Sequence, residues 1–372
     1  MQITYLDHNA TTKLAPEALA KMNEVYAFPL NNSATHQLGR MAYQFVEEAR
    51  EELQKFLNAK NYQVIFTGSS TEATNQTIFN TAAETVLFCK FEHSSVFNSR
   101  PENKKIVEIN ATQDGLIDIE HLKKELEKVE NGNFLVSLML ANNETGAIQP
   151  AEEVAKLTHQ KGGIFHCDIV QATGKIEVDL EKINTDLVSI SAHKINGPQG
   201  VGALLVRKGI EISPLIHGGK QEKGKRAGTT NVAGIAAFGV ACKLAKNRTE
   251  LYATKVKNLR DHLESELKKI AGNDVKIFCE NVQRLPNTSY VALKNADSQT
   301  QLIYFDINKI CVSSGAACSS GTLSAPRVLS AMNVAEEFSN SSIRVSLCPE
   351  TTNDEIEKFI KVWKEFYQKI KK

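Results

Sequence analysis

Cys318 is the most distinctive candidate for chemistry in this 372-residue sequence. It lies in SSGAACSSGT, residues 313–322, where small side chains bury little apolar surface and leave the backbone loose. Such a cysteine has four interpretations: a half-disulfide, a metal ligand, an inert small residue, or a nucleophile on a mobile loop. The seven cysteines form no C-x-x-C pair and are odd in number, so neither a disulfide framework nor a structural zinc site is indicated.

A second candidate is a phosphate-binding helix start in FTGSSTEATNQTIF, residues 66–79. The pattern predicts that a strand ends at Phe66 and that a helix begins near Thr71, with Glu72 in its first turn. Backbone amides at such a helix start, together with the Ser70 and Thr71 hydroxyls, form a natural phosphate cradle. Any capped helix after a strand has the same pattern, so the segment alone does not decide between the two interpretations.

Two further candidates follow predicted strands. HCDIVQATGK places Asp168 at a strand end, either facing a ligand crevice or capping a helix, and Gln171 comes three residues later. SISAHKINGPQGVGALLV places Lys194 after a strand, either as a solvated charge or as an amine desolvated enough to form a Schiff base. A phosphate cradle, a carboxylate and a lysine in combination are the groups that pyridoxal phosphate requires.

The elements that must position these residues alternate between strands and helices. Helical patterns separate six apolar or β-branched segments, which are QVIFTG, TVLFC, FLVSLMLAN, GIFHCD, LVSISAH and GALLV. Continuous apolar strands of this kind indicate a mainly parallel sheet covered on both faces, in an α/β domain. The active site should then lie at the carboxyl ends of the strands.

The pattern changes after Asn247. A long charged amphipathic helix is predicted there, followed by short strands and a final helix that opens at Thr352, with Glu355 at the spacing of a capping box. The apolar stripe of this final helix is expected to pack on its own domain. The apolar positions are Leu251, Val256, Leu259, Leu263 and Leu267 in the first helix and Ile356, Phe359, Ile360, Trp363, Phe366, Tyr367 and Ile370 in the second.

The composition is that of an ordinary globular protein, with 42% hydrophobic and 23% charged residues and a net charge of +1. Nothing suggests a nucleic-acid-binding surface, so a small molecule or a protein is the expected partner. No apolar run is long enough to span a bilayer, and the start MQITYLDHNATT lacks a signal-peptide pattern. The predicted location is the cytoplasm, with most cysteines reduced.

Taken together, the motifs resemble those of the cysteine desulfurases of the NifS/IscS type, within the class V aminotransferase-like group of pyridoxal-phosphate enzymes. The resemblance covers the whole chain in family order, through YLDHNATT, EHSSV, NNETGAIQP, DIVQATGK, SAHKINGPQGVGAL, KRAGTTN, SSGAACSSG and SSIRVSL. It implies a type I pyridoxal-phosphate transferase fold. A large cofactor-binding domain, residues 14–248, would contain a mainly parallel seven-stranded sheet. Residues 1–13 and 249–372 would form a smaller α+β domain that carries the catalytic cysteine.

The resemblance also implies which residues contact the cofactor ring. Lys194 would be the Schiff-base lysine, Asp168 the partner of the pyridinium nitrogen, and Gln171 a hydrogen-bond donor to the ring hydroxyl. His93 would stack on the ring and could move protons, where a helix-start or surface histidine is the alternative. Asn143 would approach the ring hydroxyl and the substrate, although an Asn-Asn pair also suits a turn.

The cofactor phosphate would, by the same resemblance, be bound by four residues of one chain and one of another. Ser70, Thr71, Ser191 and His193 would hold it, joined by Thr229 reaching in from the second subunit of a homodimer. The site would then be a property of the dimer.

For the reaction, the resemblance implies that Arg344 binds the carboxylate of L-cysteine as a bidentate pair, although an exposed edge charge is the alternative for this arginine. Lys194 would remove the α-proton, and the Cys318 thiolate would attack the substrate sulfur, forming an enzyme persulfide and releasing alanine. Gly315 and Gly321 would act as hinges. Cys89 and Cys167 are expected to be buried small residues, whereas Cys348, near Arg344, is not dismissed.

The sequence departs from the family pattern in three places. LNNSATHQLGR lacks the proline that many relatives carry, SLCPETT follows Arg344 in place of a commoner Gly-Arg pair, and the sequence ends at Lys372 without the tail that housekeeping members use to dock a scaffold protein. The sulfur acceptor therefore stays open between an iron–sulfur scaffold, a tRNA-thiolation protein and another carrier.

Alternative functions also stay open. The chain could be a selenocysteine lyase, an aminotransferase or a β-lyase of the same fold. It could also be a non-catalytic binding protein that kept the fold, because a fold alone does not confer activity. A metal site built on His166, Cys167 and Asp168 lacks supporting ligand spacing, so no metal is predicted.

Overall fold

Strands and helices alternate along most of the chain in the computed structural model, which describes residues 3–315 and 326–371. Cys318 and Gly321 lie outside the described residues. The strands are β1 (Thr4–Tyr5), β2 (Tyr62–Thr67), β3 (Thr85–Cys89), β4 (Lys105–Ile109), β5 (Phe134–Met139), β6 (Ile164–Asp168), β7 (Leu187–Ser191), β8 (Gly202–Arg207), β9 (Val275–Ile277), β10 (Thr288–Leu293), β11 (Ile310–Cys311) and β12 (Ser342–Ser346). The helices are α1 (Pro16–Tyr26), α2 (Gln37–Phe56), α3 (Ser70–Asn80), α4 (Ser94–Phe97), α5 (Ile119–Leu126), α6 (Ala151–Gln160), α7 (Leu180–Ile183), α8 (Val232–Lys246), α9 (Thr249–Leu251), α10 (Lys257–Ala271), α11 (Ser298–Ile307), α12 (Arg327–Ala331), α13 (Glu336–Ser339) and α14 (Asn353–Ile370).

The largest sheet has seven strands in the order β2-β8-β7-β6-β5-β3-β4. All neighbours in it are parallel except β8, which is antiparallel to both β7 and β2. The predicted mainly parallel seven-stranded sheet is therefore confirmed. The six apolar segments correspond to β2, β3, β5, β6, β7 and β8. The seventh strand, β4, lies at the sheet edge, and its partly exposed sequence lacks the continuous apolar pattern.

The sheet is covered on both faces because its strands alternate between two apolar cores. Side chains of successive residues point to opposite faces of a strand. In β8, Leu205 packs into the larger core and Leu204 into the other, and in β2 Phe66 and Ile65 divide in the same way. The prediction of a doubly covered sheet is thus explained by strands that are apolar at every position.

Two smaller sheets lie outside the large one. Strands β9, β10 and β12 form a three-stranded antiparallel sheet, and β1 pairs with β11 in a parallel two-stranded sheet. Their shared core combines Leu6 with side chains of α10, α11 and α14. Phe278 and Tyr290 pack instead on the larger core of the seven-stranded sheet. The division into residues 14–248 and the two flanking segments stays a proposal.

The predicted helices after Asn247 differ from the structure at their ends. The first is formed by α9, a short π-helical segment and α10, with Val256, Leu259, Leu263 and Leu267 buried. Leu251 is 45% exposed, so its assignment to the buried stripe was wrong. It precedes the π-helical segment Tyr252–Val256, whose wider turn breaks the regular period on which the assignment depended.

The final helix, α14, has the predicted capping box. The Thr352 side chain accepts from the Glu355 amide, and the Glu355 carboxylate accepts from the Thr352 amide at 3.0 Å. Trp363 and its apolar neighbours are buried, as predicted, whereas Ile370 in the last turn is 38% exposed. In the described ranges, no helix is both long and apolar enough to cross a membrane.

Replacing Thr352 with alanine removes the oxygen that satisfies an otherwise unpaired helix amide. We expect Thr352→Ala to lower the free energy of unfolding by about 1 kcal/mol. Urea unfolding followed by the fluorescence of Trp363, the only tryptophan, measures this loss. Thr254→Ala is the control, because the Thr254 hydroxyl donates only to the Glu250 carbonyl, at 2.8 Å. Equal losses in the two variants would contradict the capping role.

Candidate active site

A cavity of about 640 Å³ opens at the carboxyl end of the large sheet. Met139, Asp168 and Ser191, the last residues of β5, β6 and β7, line it, which is where the sequence predicted the active site. Ten predicted site residues line the same cavity: Ser70, Thr71, His93, Asn143, Asp168, Gln171, Ser191, His193, Lys194 and Arg344.

Two predicted site residues are not part of this lining. Thr229 is exposed on the surface of the single chain, so its contribution to a second subunit's site stays a prediction. Cys318 lies outside the described residues. Ser313, Ser314 and Gly315, the described residues closest before it, do line the cavity.

Gly315 makes an unusually close approach to buried polar groups. A Cβ at this position would lie 1.7 Å from the Tyr290 hydroxyl oxygen and 2.5 Å from Glu144 Oε2, so only glycine fits. Burial raises the pKa of Glu144 to about 7, opposed by the positive charges of Arg344 and Arg327. The chain that leads to Cys318 is therefore seated tightly where it passes the cavity. Whether Gly315 also acts as a hinge stays a prediction.

The start of α3 forms one wall of the cavity. The helix begins at Ser70, one residue before the predicted position, and the Ser69 hydroxyl accepts from the Glu72 amide at 3.2 Å. The first amides of a helix have no acceptor within it, so those of Ser70 and Thr71 are available to an anion. Gly202 allows the close packing, because a Cβ there would lie 2.8 Å from Ser70 N.

Asp168 is a buried carboxyl group at the floor of the cavity. Burial raises its pKa to about 6, while a hydrogen bond from the Val170 amide and the charge of Lys194 act in the opposite direction. A cationic group placed beside it would favour the ionised form further. The sequence predicted that this acid needs a positive partner. No cation in the described part of the chain contacts it directly, and its pKa is raised accordingly.

Lys194 lies in a short 3₁₀ turn, Ala192–Lys194, directly after β7. Its Nζ donates to the carbonyls of Asn9 at 2.6 Å and Ala10 at 2.7 Å. Burial and the nearby Arg344 charge lower its pKa to about 8. A substantial fraction of the amine is therefore neutral and nucleophilic near physiological pH, in contrast to a solvated surface lysine.

Two histidines in the cavity wall are neutral at pH 7. Burial and the Lys194 charge lower the pKa of both His93 and His193 to about 4. The Ser95 amide donates to His93 Nδ1 at 3.1 Å, so the proton of the neutral ring is on Nε2. His193 Nδ1 lies 3.1 Å from the Thr11 hydroxyl. Each ring is thus held by its own hydrogen bond.

Arg344 is buried, so its interpretation as an exposed edge charge is wrong. Its Nη2 donates to Asp7 Oδ1 at 2.7 Å and its Nη1 to the Asn143 carbonyl at 3.0 Å. Its Nε is buried and has no hydrogen-bond partner among the described residues. Backbone hydrogen bonds between Arg344 and Ser313 place this guanidinium next to the segment that precedes Cys318.

Sequence reasoning assigned no role to Asn9 or Lys175. Asn9 is 1% exposed, and its carbonyl accepts from both Lys194 Nζ and Gln171 Nε2. Lys175 is also 1% exposed, and its amine donates to Asn9 Oδ1 and Gln171 Oε1. Both residues lie within quoted motifs, YLDHNATT and DIVQATGK, which was the only available signal.

The other thiols are poorly suited to nucleophilic attack. Cys89 and Cys167 are fully buried, as predicted, and burial raises their pKa well above the usual value. Burial also raises the pKa of Cys348 to about 11, and its sulfur lies 3.7 Å from the Thr351 hydroxyl.

His166 forms hydrogen bonds with Ser137 and Ser189, and no cluster of three metal-ligating side chains occurs in residues 3–315 or 326–371.

The donor set fits pyridoxal phosphate. The cavity brings together unpaired helix amides that suit a phosphate, a buried carboxyl that a protonated ring nitrogen would ionise, and an amine of lowered pKa that suits an aldehyde. These groups came from three separate segments of sequence and meet at one sheet edge. The fit depends on their chemistry and their common location.

Comparisons with known proteins agree with this geometry. A family model described as aminotransferase class-V matches residues 4–359. A cysteine desulfurase IscS from Dictyoglomus turgidum is 37% identical, over 99% of this chain and 95% of its own. A solved NifS-like protein from Rickettsia africae is 38% identical with a TM-score of 0.91, over 99% of this chain and all of that one. A solved structure of SspA in complex with cysteine is 26% identical with a TM-score of 0.80, over 94% and 100% of the two chains.

The chain therefore belongs to the class V aminotransferase family and, within it, to the cysteine desulfurases of the IscS and NifS type. This family implies pyridoxal phosphate as the cofactor.

Gly202→Ala should displace the start of α3, because the new Cβ would clash with Ser69 and Ser70. We expect a loss of about 1–3 kcal/mol in stability, as for other overpacked sites, together with weaker pyridoxal-phosphate binding. Gly163→Ala is the matched control. Its Cβ would lie 2.3 Å from the Phe134 ring, at the end of β6 opposite the cavity. It should therefore lower stability without weakening pyridoxal-phosphate binding. Thermal unfolding and absorbance titration separate the two effects, and equal cofactor affinities in both variants would contradict the cradle.

The lowered pKa of Lys194 predicts a pH dependence. Only the neutral amine attacks an aldehyde, so the rate at which apo-protein forms the Lys194 adduct should rise through about pH 8 rather than through the ordinary lysine value of 10.5. Borohydride trapping followed by peptide mass spectrometry measures the rate. Exposed Lys182 in the same samples serves as the internal control. A Lys194 profile that rises only above pH 10 would refute the shift.

Proposed function

We propose that this chain converts L-cysteine to L-alanine and transfers the sulfur to Cys318 as a persulfide. One observation carries the proposal. A lysine amine of lowered pKa and a buried arginine line the same cavity as residues 313–315, which end three positions before the cysteine. The full-length similarity to cysteine desulfurases, at 37% identity, supports the activity.

Pyridoxal phosphate, once bound, supplies an electron sink for the charge that develops at the substrate's α-carbon. Ser70, Thr71, Ser191 and His193 would bind its phosphate, and Lys194 would hold its aldehyde. Asp168 would keep the ring nitrogen protonated. Pairing with that cation would return the Asp168 pKa from about 6 toward its ordinary range.

Arg344 would bind the substrate carboxylate. Its Nη groups already contact Asp7 and the Asn143 carbonyl, which fix the guanidinium plane, while the buried Nε is left without a partner. An unpaired donor of this kind is costly unless a ligand satisfies it. A substrate carboxylate would satisfy it and add a charged hydrogen bond, with Asn143 on the same wall.

Lys194 would take the α-proton of the substrate. An amine whose pKa is about 8 is half deprotonated at about pH 8, so near physiological pH it can both accept a proton and release it again. His93 is neutral and carries its proton on Nε2, so it would act as a hydrogen-bond donor and ring-stacking wall rather than as a cation.

Sulfur transfer would use the Cys318 thiolate. The thiolate forms an S–S bond with the substrate sulfur while the substrate C–S bond breaks. The electron pair of that bond goes to carbon, which takes a proton to give alanine. Three peptide units separate Cys318 from Gly315, so covalent geometry limits the separation of their Cα atoms to about 10 Å. A span of that length covers much of a cavity of about 640 Å³.

The wider setting of this reaction is also proposed. We infer a cytoplasmic homodimer in which Thr229, exposed on the single chain, completes the partner's phosphate site. The domain division is residues 14–248 against residues 1–13 and 249–372. The acceptor of the persulfide sulfur would be an iron–sulfur scaffold or a tRNA-thiolation carrier.

Incubation of the purified, cofactor-loaded protein with L-cysteine tests the proposal. We expect alanine to appear and the intact mass to rise by one sulfur atom, with the adduct on the peptide that contains Cys318. Cys318→Ala should abolish the adduct and lower alanine formation at least about 100-fold, because it removes the nucleophile. Cys348→Ala is the control and should retain both, since its thiol is buried and has a raised pKa. Full-rate sulfide release by Cys318→Ala would refute the assignment, and a marked preference for selenocysteine would favour a selenocysteine lyase.

A further inference from the structure

Lys175 is a buried lysine whose hydrogen bonds go to two side-chain amide oxygens. It is 1% exposed, and its Nζ donates to Gln171 Oε1 at 2.7 Å and to Asn9 Oδ1 at 3.0 Å. Both acceptors are neutral amide oxygens. Within residues 3–315 and 326–371, this amine forms no ion pair, and the charges that act on it are the positive ones of Lys194 and Arg344. Its two hydrogen bonds can therefore orient the neighbouring amides, but they do not neutralise its charge.

The surroundings of Lys175 make it unfavourable for stability. Burial lowers its pKa well below the usual lysine value, and the positive charges of Lys194 and Arg344 lower it further. Burying an amine beside two cations costs free energy that two amide contacts offset only in part. A lysine retained there for packing alone would serve less well than an apolar side chain of the same length.

The contacts of Lys175 determine how the Gln171 side-chain amide is oriented. An amine that donates to Gln171 must meet its oxygen, which leaves the nitrogen for the other side. Gln171 Nε2 donates one hydrogen to the Asn9 carbonyl at 3.0 Å. Gln171 lines the cavity, and the second N–H of its Nε2 has no acceptor among residues 3–315 and 326–371. Rotation of the amide by 180° would instead place two N–H groups against the Lys175 amine.

The same amine also holds the turn that contacts Lys194. Asn9 Oδ1 accepts from Lys175, while the Asn9 carbonyl accepts from Lys194 Nζ at 2.6 Å and from Gln171 Nε2. Lys175 thus contacts Asn9, whose carbonyl accepts from Lys194, and Gln171, which lines the cavity, without lining the cavity itself.

We infer that Lys175 is a positioning residue that fixes the Gln171 amide with its N–H toward the bound cofactor. The inference depends on the cofactor-binding part of the proposed function and not on the sulfur chemistry. Lys175 would act on the cofactor through Gln171, where the N–H meets an electron-rich oxygen of the ring.

If Lys175 only supported the fold, removal of its amine would lower the unfolding temperature of the apo-protein. A positioning role predicts that this temperature stays unchanged. In Lys175→Met, Asn9 Oδ1 keeps its hydrogen bond from Asn287 Nδ2 at 3.0 Å, and Asn9 Nδ2 keeps those to Thr288 and Asn143. Only Gln171 Oε1 loses its donor. Methionine is unbranched, of similar length and adaptable, so the apo-protein should unfold at the same temperature as wild type or slightly above it.

A double-mutant cycle on the full chain tests the inference. Apo forms of wild type, Lys175→Met, Gln171→Met and the double variant are titrated with pyridoxal phosphate and followed by absorbance. Each single variant should bind about 10-fold more weakly, as expected for loss of one well-oriented hydrogen bond, and the double variant no more weakly than either one. Lys182→Met, on the exposed surface, is the control and should bind as wild type does.

The alternative outcomes each overturn the inference. Additive losses, about 100-fold in the double variant, would mean that Lys175 does not act through Gln171. Wild-type affinity in Lys175→Met would mean that it positions nothing. If Lys175→Met fails to fold, Lys175→Gln provides the same cycle, because its shorter amide retains a donor and should give an intermediate loss. A wild type that binds the cofactor but produces no alanine refutes the proposed desulfurase activity. The cofactor affinities of the four proteins would still test the role of Lys175.

Discussion

The carbonyl group of Asn9 is the contact on which the geometry of the site depends. It accepts from the Lys194 amine, which follows the large sheet, and from Gln171 after β6. The Asn9 side chain and amide extend the same contact to Thr288 in β10 and Ser346 in β12. One residue near the start of the chain therefore joins the reactive lysine to the smaller antiparallel sheet. Together with the hydrogen bond from Arg344 in β12 to the Asn143 carbonyl, it ties the smaller sheet to the wall of the cavity.

Desolvation is the second constraint, because it makes the chemistry of each group depend on its neighbours. Lys194, Lys175 and Arg344 place three basic groups around one turn, whereas Asp7 and Asp168 supply the nearby acidic ones. Burial lowers the pKa of both lysines, and the positive charge of Arg344 lowers both further. The charge of Lys194 also lowers the pKa of Lys175. In the proposed role of Lys194, attack on an aldehyde, such crowding would be an advantage, since the neutral amine is the reactive form. The arrangement that weakens the fold locally is the one that activates the lysine.

The sequence predicted the parts of the molecule that local patterns determine. Continuous apolar strands indicated the sheet and its two covered faces, and strand ends located Asp168 and Lys194. Arg344 became recognisable only through the family resemblance, because its partners Asp7 and Asn143 are far away in sequence. Lys175 and Asn9 lie within the family motifs DIVQATGK and YLDHNATT, but no local pattern indicates what they do. Their roles arise from side-chain contacts between distant segments, which no periodicity encodes. Leu251 shows the opposite failure: a local pattern predicted that it is buried, but the helical period does not continue across the π-helical segment Tyr252–Val256.

The close fit of Gly315 against Tyr290 has a consequence for how the reach of Cys318, the proposed sulfur carrier, would change with the length of its segment. Because no side chain fits at that position, sterics set the placement of Gly315, the last described residue before Cys318. The number of residues between Gly315 and Cys318 then sets the maximum distance between them. Each added residue would extend the limit of the thiol by about 3.5 Å, a larger step than a side-chain replacement in the cavity provides. A change in the length of this segment would thus alter the reach of Cys318 while the cavity itself stays constant.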